Sequence, residues 1–297
     1  MNIYDILKEM SIKFRLIGNG EFDSLGLTSA SCNKRLCTFI EDEKYASDLS
    51  DSVSLVLTNE KSVDKFDFPN KCVVDNPRLT FFRMHNHLSE NELYKRQSFK
   101  TIIGKNCSIS PLACISNMNV IIGDNVVIEE FVSIKGNTII GNNVVIRTGV
   151  VLGGEGFEEK RTVDGTMSVI HLGGVKIGNN VDIHQNTCVD KAIYPWDDTL
   201  ISDGCRIDIL SHIAHAVKLG ENVFVAGLAA IAGRTVVGKN TWIGPRVCVR
   251  NGIMIGANAR LNMGAVVTRE VLDGQAVSGN FAIDHEKFIE NMKRNNK

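Results

Sequence analysis

Between Ile122 and Val267 the aliphatic residues keep a spacing of six. They fall at Ile122, Ile128, Ile134, Ile140, Ile146 and Leu152, and again at Ile177, Ile183 and Val189. From Ile201 they run unbroken through Ile207, Ile213, Leu219, Val225, Ile231, Val237, Ile243, Val249, Ile255, Leu261 and Val267. A helix of about 3.6 residues per turn would carry such positions around its axis. Two-residue alternation would not call for the glycine that so often follows, as in Ile122-Gly123, Ile140-Gly141, Leu219-Gly220 and Ile243-Gly244. Six residues make one short strand and its corner. Three such sides close a triangular coil of eighteen residues, each coil pairing with the next at strand separation. The Asn, Asp and Gly between the aliphatics, as in Gly123-Asp124-Asn125 and Gly178-Asn179-Asn180, suit corners because they tolerate unusual backbone angles. The pattern predicts a mainly β fold, a parallel β-helix over residues 101–275.

The ladder breaks twice, between Gly153 and Gly174 and between Lys191 and Thr199. Insertions leave a solenoid as loops, which predicts either the walls of a substrate pocket or plain surface excursions. Residues 1–100 lack the period. They predict a small α/β domain, with a helix near Tyr4 to Met10, strands near Val53 to Leu57 and Lys71 to Val74, and a helix opening at Asn76-Pro77, where proline suits the first turn. The tail, 276–297, reads from about Phe281 as a terminal helix that caps the open end of the coil.

Charge narrows the partners. Thirty-three basic and thirty-four acidic residues leave a formal charge of −1, with no basic block, so nucleic acid is not expected. The first residues have no basic segment followed by an apolar one, and the most apolar run, Val223 to Gly233, is too short for a membrane span. A cytoplasmic location is expected. Eight cysteines lie scattered without a Cys-x-x-Cys, which predicts free thiols, with neither a disulfide frame nor a metal site.

The repeat, the segment Ile207-Asp208-Ile209-Leu210-Ser211-His212-Ile213-Ala214-His215 and the element Asp75-Asn76-Pro77-Arg78-Leu79 together resemble the UDP-3-O-acylglucosamine N-acyltransferase family. Gly154-Glu155-Gly156-Phe157, Gly173-Gly174-Val175 and Asn186-Thr187-Cys188-Val189-Asp190 extend the resemblance over nearly the whole chain. It implies a left-handed coil, a homotrimer with sites between subunits, and transfer of an acyl group from a thioester carrier to the amine of a nucleotide-linked sugar. Such a transfer needs a base and a donor to the oxyanion, and histidine suits the first task near neutral pH.

The resemblance puts the base at His215, with His212 as its rival. Asp208 matches a carboxylate that would orient the imidazole, or it is a solvated corner residue. Eighteen residues after His215 stands Gly233, whose backbone N–H matches the oxyanion donor; one coil further stands Asn251. Asn186 and Asp190 join His212 and Asn251 as expected substrate or carrier contacts. The family's second histidine falls at Gly252 and is absent. In the small domain Phe39 and Tyr45 match the aromatics that sandwich the nucleotide base, although such a pair is also ordinary core. Asp42 stands between them where the family has an amide, and an anion cannot offer the amide's donor, which favours a thymidine-linked sugar over a uridine-linked one. Family members that use acyl carrier protein have a longer helical extension than the stretch after Phe288. The expected donor is therefore acyl-CoA, or else the phosphopantetheine of acyl carrier protein, with no tightly bound cofactor. The rival readings are the lipid A pathway enzyme itself and a non-catalytic trimeric sugar-nucleotide binder.

Overall fold

The computed structural model describes residues 1–279 and 284–295. The six-residue period becomes a left-handed parallel β-helix of three sheets, with nine, eight and eight strands among the described residues. Most strands are two residues long, and partners lie eighteen apart: His212 beside Ala230, Ala230 beside Cys248, Ile213 beside Ile231. All the aliphatic positions of the period are buried in one continuous core. A second inward series stands two residues earlier, at Val126, Val132, Val144, Val150, Val181, Cys205, Val217, Val223, Ala229 and Val247. The pattern of aliphatics did not disclose it, because the same column admits Thr138, Thr187, Ser211, Thr235 and Thr241, also buried. Their hydroxyls return to nearby carbonyls, as Thr235 does to Ala232 at 2.7 Å and Thr241 to Gly256 at 2.8 Å, so these inward polar groups are satisfied.

Every corner needs one residue in the left-handed region, and these too recur every six: Asn125, Phe131, Asn137 and Asn143, then Ala216, Asn222, Leu228, Arg234, Asn240 and Arg246, all with φ between 55° and 63°. Asparagine is the commonest of these because its short amide eases that conformation. On one corner the amides also stack, Asn125 donating to Asn143 at 3.1 Å and Asn240 to Asn258 at 3.2 Å.

The amino-terminal residues form α1 (Ile3–Glu9), five strands and α2 (Pro77–Leu88). The strands β1 (Arg15–Ile17), β2 (Ser24–Leu25), β3 (Leu36–Phe39), β4 (Val53–Thr58) and β5 (Lys71–Val73) lie in the order β1-β5-β4-β3-β2, with only β1 antiparallel. Helix α2 opens as its sequence predicts: the Asn76 side chain accepts the Leu79 N–H at 2.9 Å and Pro77 follows. Strands β1, β2 and β3 lacked a recognisable pattern, being short and mixed in polarity.

Both insertions depart from the picture of projecting loops. The first folds as an antiparallel hairpin, Glu159–Thr162 against Gly165–Ser168, turning at Gly165 with φ 130°. Both dock on the small domain. Asn86 donates to Ser168 O at 2.7 Å and receives the Ile170 N–H at 3.0 Å. His85 bonds Ile170 O at 2.7 Å and the Tyr94 hydroxyl at 2.8 Å. From the second insertion, Trp196 stacks on Tyr194 and donates to Leu25 O at 2.8 Å, while Arg96 clasps Pro195 O, Asp197 O and the Asp198 carboxylate. Helix α3 occupies His285–Asn295; the tail's expected start at Phe281, and the Phe288 side chain, lie outside the described residues. Among the described residues no helix is long and apolar enough to cross a membrane.

Candidate active site

A groove of about 460 Å³ runs along the face that carries His212, Ala230 and Cys248, and is closed on one side by Phe157 and Glu158 of the hairpin insertion. His212, His215, Asp190, Gly233 and Asn251 all line it. His215 occupies the corner after the strand His212–Ile213. The corner above it is in register, since the Arg234 N–H donates to His215 O at 2.9 Å, and the Gly252 N–H donates to Gly233 O at 3.0 Å. The eighteen-residue count therefore places Gly233 directly against the imidazole. A Cβ on Gly233 would stand 2.5 Å from both Nε2 and Cε1 of His215, so no side chain fits while the ring is there. Among the described residues the Gly233 N–H has no acceptor. Gly252 takes the left-handed conformation with φ 70°, a corner position that favours glycine over the histidine the family has there.

Two histidines of this groove are shifted in opposite directions. His215 is buried, and burial together with the nearby Arg234 guanidinium pushes its pKa down to about 4, against the opposing pull of Glu158. It is a neutral imidazole around pH 7. His212 is half exposed, and its hydrogen bond to Asp190, Nε2 to Oδ2 at 2.8 Å, pulls its pKa above the usual histidine value. It is the more readily protonated of the two.

The carboxylate beside His215 is Glu158, with Oε2 3.5 Å from Nε2. Burial pushes Glu158 upward, but its ion pairs with Lys160 and Arg234 outweigh that and hold it below the ordinary value. Asp208 does not reach the ring. It follows the strand Arg206–Ile207 and so stands on the preceding corner of the triangle, where Oδ2 accepts the Gly227 N–H at 3.0 Å and Oδ1 faces His184. Proximity in sequence misled here, because six residues along this chain turn one corner. Asn186 likewise lies outside the groove's lining: it is a left-handed corner residue with φ 56° whose amide packs against Gly149.

The small-domain trio makes three separate sets of contacts. Phe39 packs against Phe81 and Phe82, ring centres 5.0 and 6.1 Å apart. Tyr45 is exposed with the Lys44 ammonium over its face. Asp42 caps the short helix Glu43–Asp48 by accepting the Lys44 N–H at 3.1 Å, and pairs with the Lys44 ammonium at 2.9 Å. Glu158 carries no signal in the sequence beyond a charged loop, and none marks His171, whose ring lies 5.6 Å from that of His215.

Residues 119–154 and 234–269 match the bacterial transferase hexapeptide family, a model of six repeats. Each of these two stretches covers two full turns of the coil. Part of the chain also resembles UDP-3-O-acylglucosamine N-acyltransferases. The one from Delftia acidovorans is 33% identical over 46% of this chain and 40% of its own length, and the one from Coxiella burnetii (strain Dugway) is 28% identical over 67% and 65%. The chain thus spans about two fifths of the length of the first of these relatives. Among solved structures the UDP-N-acetylglucosamine acyltransferase from Campylobacter jejuni matches with TM-score 0.55 at 22% identity, over 65% of this chain and 78% of that one. At that identity the likeness concerns the fold.

Proposed function

We propose that this hexapeptide-repeat protein is an acyltransferase that moves an acyl group from a thioester to the amino group of a nucleotide-linked sugar. The observation that carries the reading is the pairing of a neutral, buried His215 with the free Gly233 N–H in one groove. The amine attacks the thioester carbonyl, forming the N–C bond, and the oxyanion takes the Gly233 N–H. His215 accepts the proton released by the amine; Glu158 favours the imidazolium so formed. The C–S bond then breaks and His215 returns the proton to the departing thiolate.

The names of the relatives support UDP-3-O-acylglucosamine as the first acceptor to assay. The case for a thymidine-linked sugar rested on Asp42, and that carboxylate is occupied by its helix cap and by Lys44; its merit over uridine is correspondingly less. The reading assigns the nucleotide to the small domain, where Tyr45 stands exposed and Phe39 half-buried. The donor is an acyl phosphopantetheine thioester, on acyl carrier protein or coenzyme A, and the assembly is a homotrimer. The test is thioester consumption with a hydroxyacyl carrier protein and UDP-3-O-acylglucosamine, beside acyl-CoA and a dTDP-amino sugar. Transfer in one arm that falls by about 10²-fold or more in His215→Ala supports the reading. Undiminished transfer by that variant, or no thioester consumed in either arm, overturns it, the second result in favour of a binding scaffold.

A further inference from the structure

Two imidazole nitrogens of the site are buried without a hydrogen-bond partner among the described residues: Nδ1 of His215 and Nε2 of His171. They are complementary. His171 Nδ1 lies 2.9 Å from Val169 O, and a carbonyl can only accept, so in the neutral ring Nδ1 carries the hydrogen and Nε2 is a bare acceptor. The two rings stand edge to face at 76°. Yet the His215 atom turned toward that acceptor is a carbon. A Cβ on Gly156 would stand 3.1 Å from His215 Cδ2, 3.2 Å from His171 Nε2 and 3.1 Å from Asp190 Oδ2. Two acceptors and one C–H edge converge on the same point.

A half-turn of the His215 ring about Cβ–Cγ exchanges Nδ1 with Cδ2 and Nε2 with Cε1, within the two-fold freedom of that torsion. The hydrogen-bearing Nδ1 then faces His171. Nε2 takes the place of Cε1, which is just as close to Gly233. We propose that His171 is a positioning residue for the transfer: its Nε2 accepts the Nδ1–H of His215 in this rotated ring, which leaves the Nε2 lone pair of His215 beside Gly233 for the proton of the attacking amine. Asp190 is the poorer candidate, since its Oδ2 already receives the His212 Nε2–H, whereas His171 Nε2 receives nothing. An imidazole whose Nδ1–H has a fixed acceptor is held in the tautomer that a base needs. The same rotation gives both orphaned nitrogens a partner and leaves Cε1, in place of Nε2, beside the Glu158 carboxylate, which then favours the imidazolium through charge alone.

This inference rests on the proposed transfer for its purpose but not for its test. In protein carrying ¹⁵N-labelled histidine, the imidazole shifts report which ring nitrogen bears the hydrogen, with the two rings assigned through His215→Gln and His171→Gln. The expected result near pH 7 is the Nδ1–H tautomer for both His215 and His171; an Nε2–H tautomer for His215 overturns the proposal, whether or not a substrate is known. Kinetics then separate positioning from plain structure. His171→Asn keeps an amide N–H for Val169 O but leaves nothing at the place of Nε2, whereas His171→Gln brings an amide oxygen there. His171→Asn should lower kcat by about tenfold to a hundredfold with the acceptor KM within about twofold, and His171→Gln should stay within about threefold of the parent. The reverse order, or full activity in both, overturns the proposal.

Discussion

Gly233 has no side chain because His215 occupies the space one would need. A Cβ there meets the ring at 2.5 Å, and the ring cannot retreat far, being buried against Gly156 and Glu158. Gly233→Ala should therefore cost about 10²- to 10³-fold in kcat, the scale of losing an oxyanion donor or its alignment, while the far-ultraviolet circular dichroism stays that of the parent. Activity within about threefold of the parent would show that the column is not the reacting one. A second prediction follows from charge. His215 is held down by burial and by Arg234, so the acid limb of kcat/KM that belongs to it lies well below the ordinary histidine value. Arg234→Gln removes a cation that opposes the imidazolium and also takes away one of the two cations paired with Glu158, which favours it. Both changes raise the pKa of His215, so the limb moves to higher pH; a limb that stays in place or moves to lower pH contradicts the assignment. The stacking of Gly233 on His215 was legible in the sequence because both sit on the six-residue lattice, where counting eighteen is a spatial measurement. Glu158 and His171 belong to an insertion that leaves the lattice, and no count reaches them. Asp208 shows the converse error, since it is on the lattice but one corner away.

At the scale of the element, the repeat is held by two requirements, an inward pair of side chains on each side and one left-handed residue at each corner. The aliphatic half of the first requirement was plain in the sequence. Its other half was hidden because hydroxyls serve there as well as methyls when a corner carbonyl is within reach. The corners were legible where asparagine marks them and illegible at Phe131, Leu210, Leu228 and Arg246, which take the same conformation without the residue type that favours it. Asn143 tests the corner rule. It has φ 55° and its amide links Asn125 to Asn180, so Asn143→Ala should destabilise the protein by about 1–2 kcal/mol through the left-handed penalty alone. Chemical denaturation of the two proteins measures it, and an unchanged midpoint would mean that the corner relaxes at no cost. The hairpin Glu159–Thr162/Gly165–Ser168 is expected from the sequence only as a loop leaving the coil; its order comes from its seat on α2, through Asn86 and through Lys160 over the Phe82 ring. That is a tertiary cause with no local signature.

In the whole molecule the outward residues of the coil are polar on most corners, but one corner is not. Leu112, Phe131, Leu210 and Leu228 are all about half exposed or more, and the backbone bonds Phe131 to Leu112, Gly149 to Glu130, Asn186 to Thr148, Leu210 to Gln185 and Leu228 to Ile209 place them on one edge as two adjacent pairs, with Gly149 and Asn186 on the turns between. Solvent does not favour a line of large apolar side chains, least of all at positions whose backbone already carries the left-handed cost. A closed ring of like subunits would cover it without leaving an edge open. If the homotrimer forms on this corner, the pair Leu210→Glu and Leu228→Glu places six carboxylates around its axis and should dissociate it. Sedimentation equilibrium then reads close to 32.7 kDa in place of about three times that mass. Transfer should fall with the assembly, because a groove open along one face loses the wall that a neighbouring subunit supplies. A double variant that sediments as the parent does would move the interface to another face, and one that dissociates yet keeps full activity would show that a single chain completes the site.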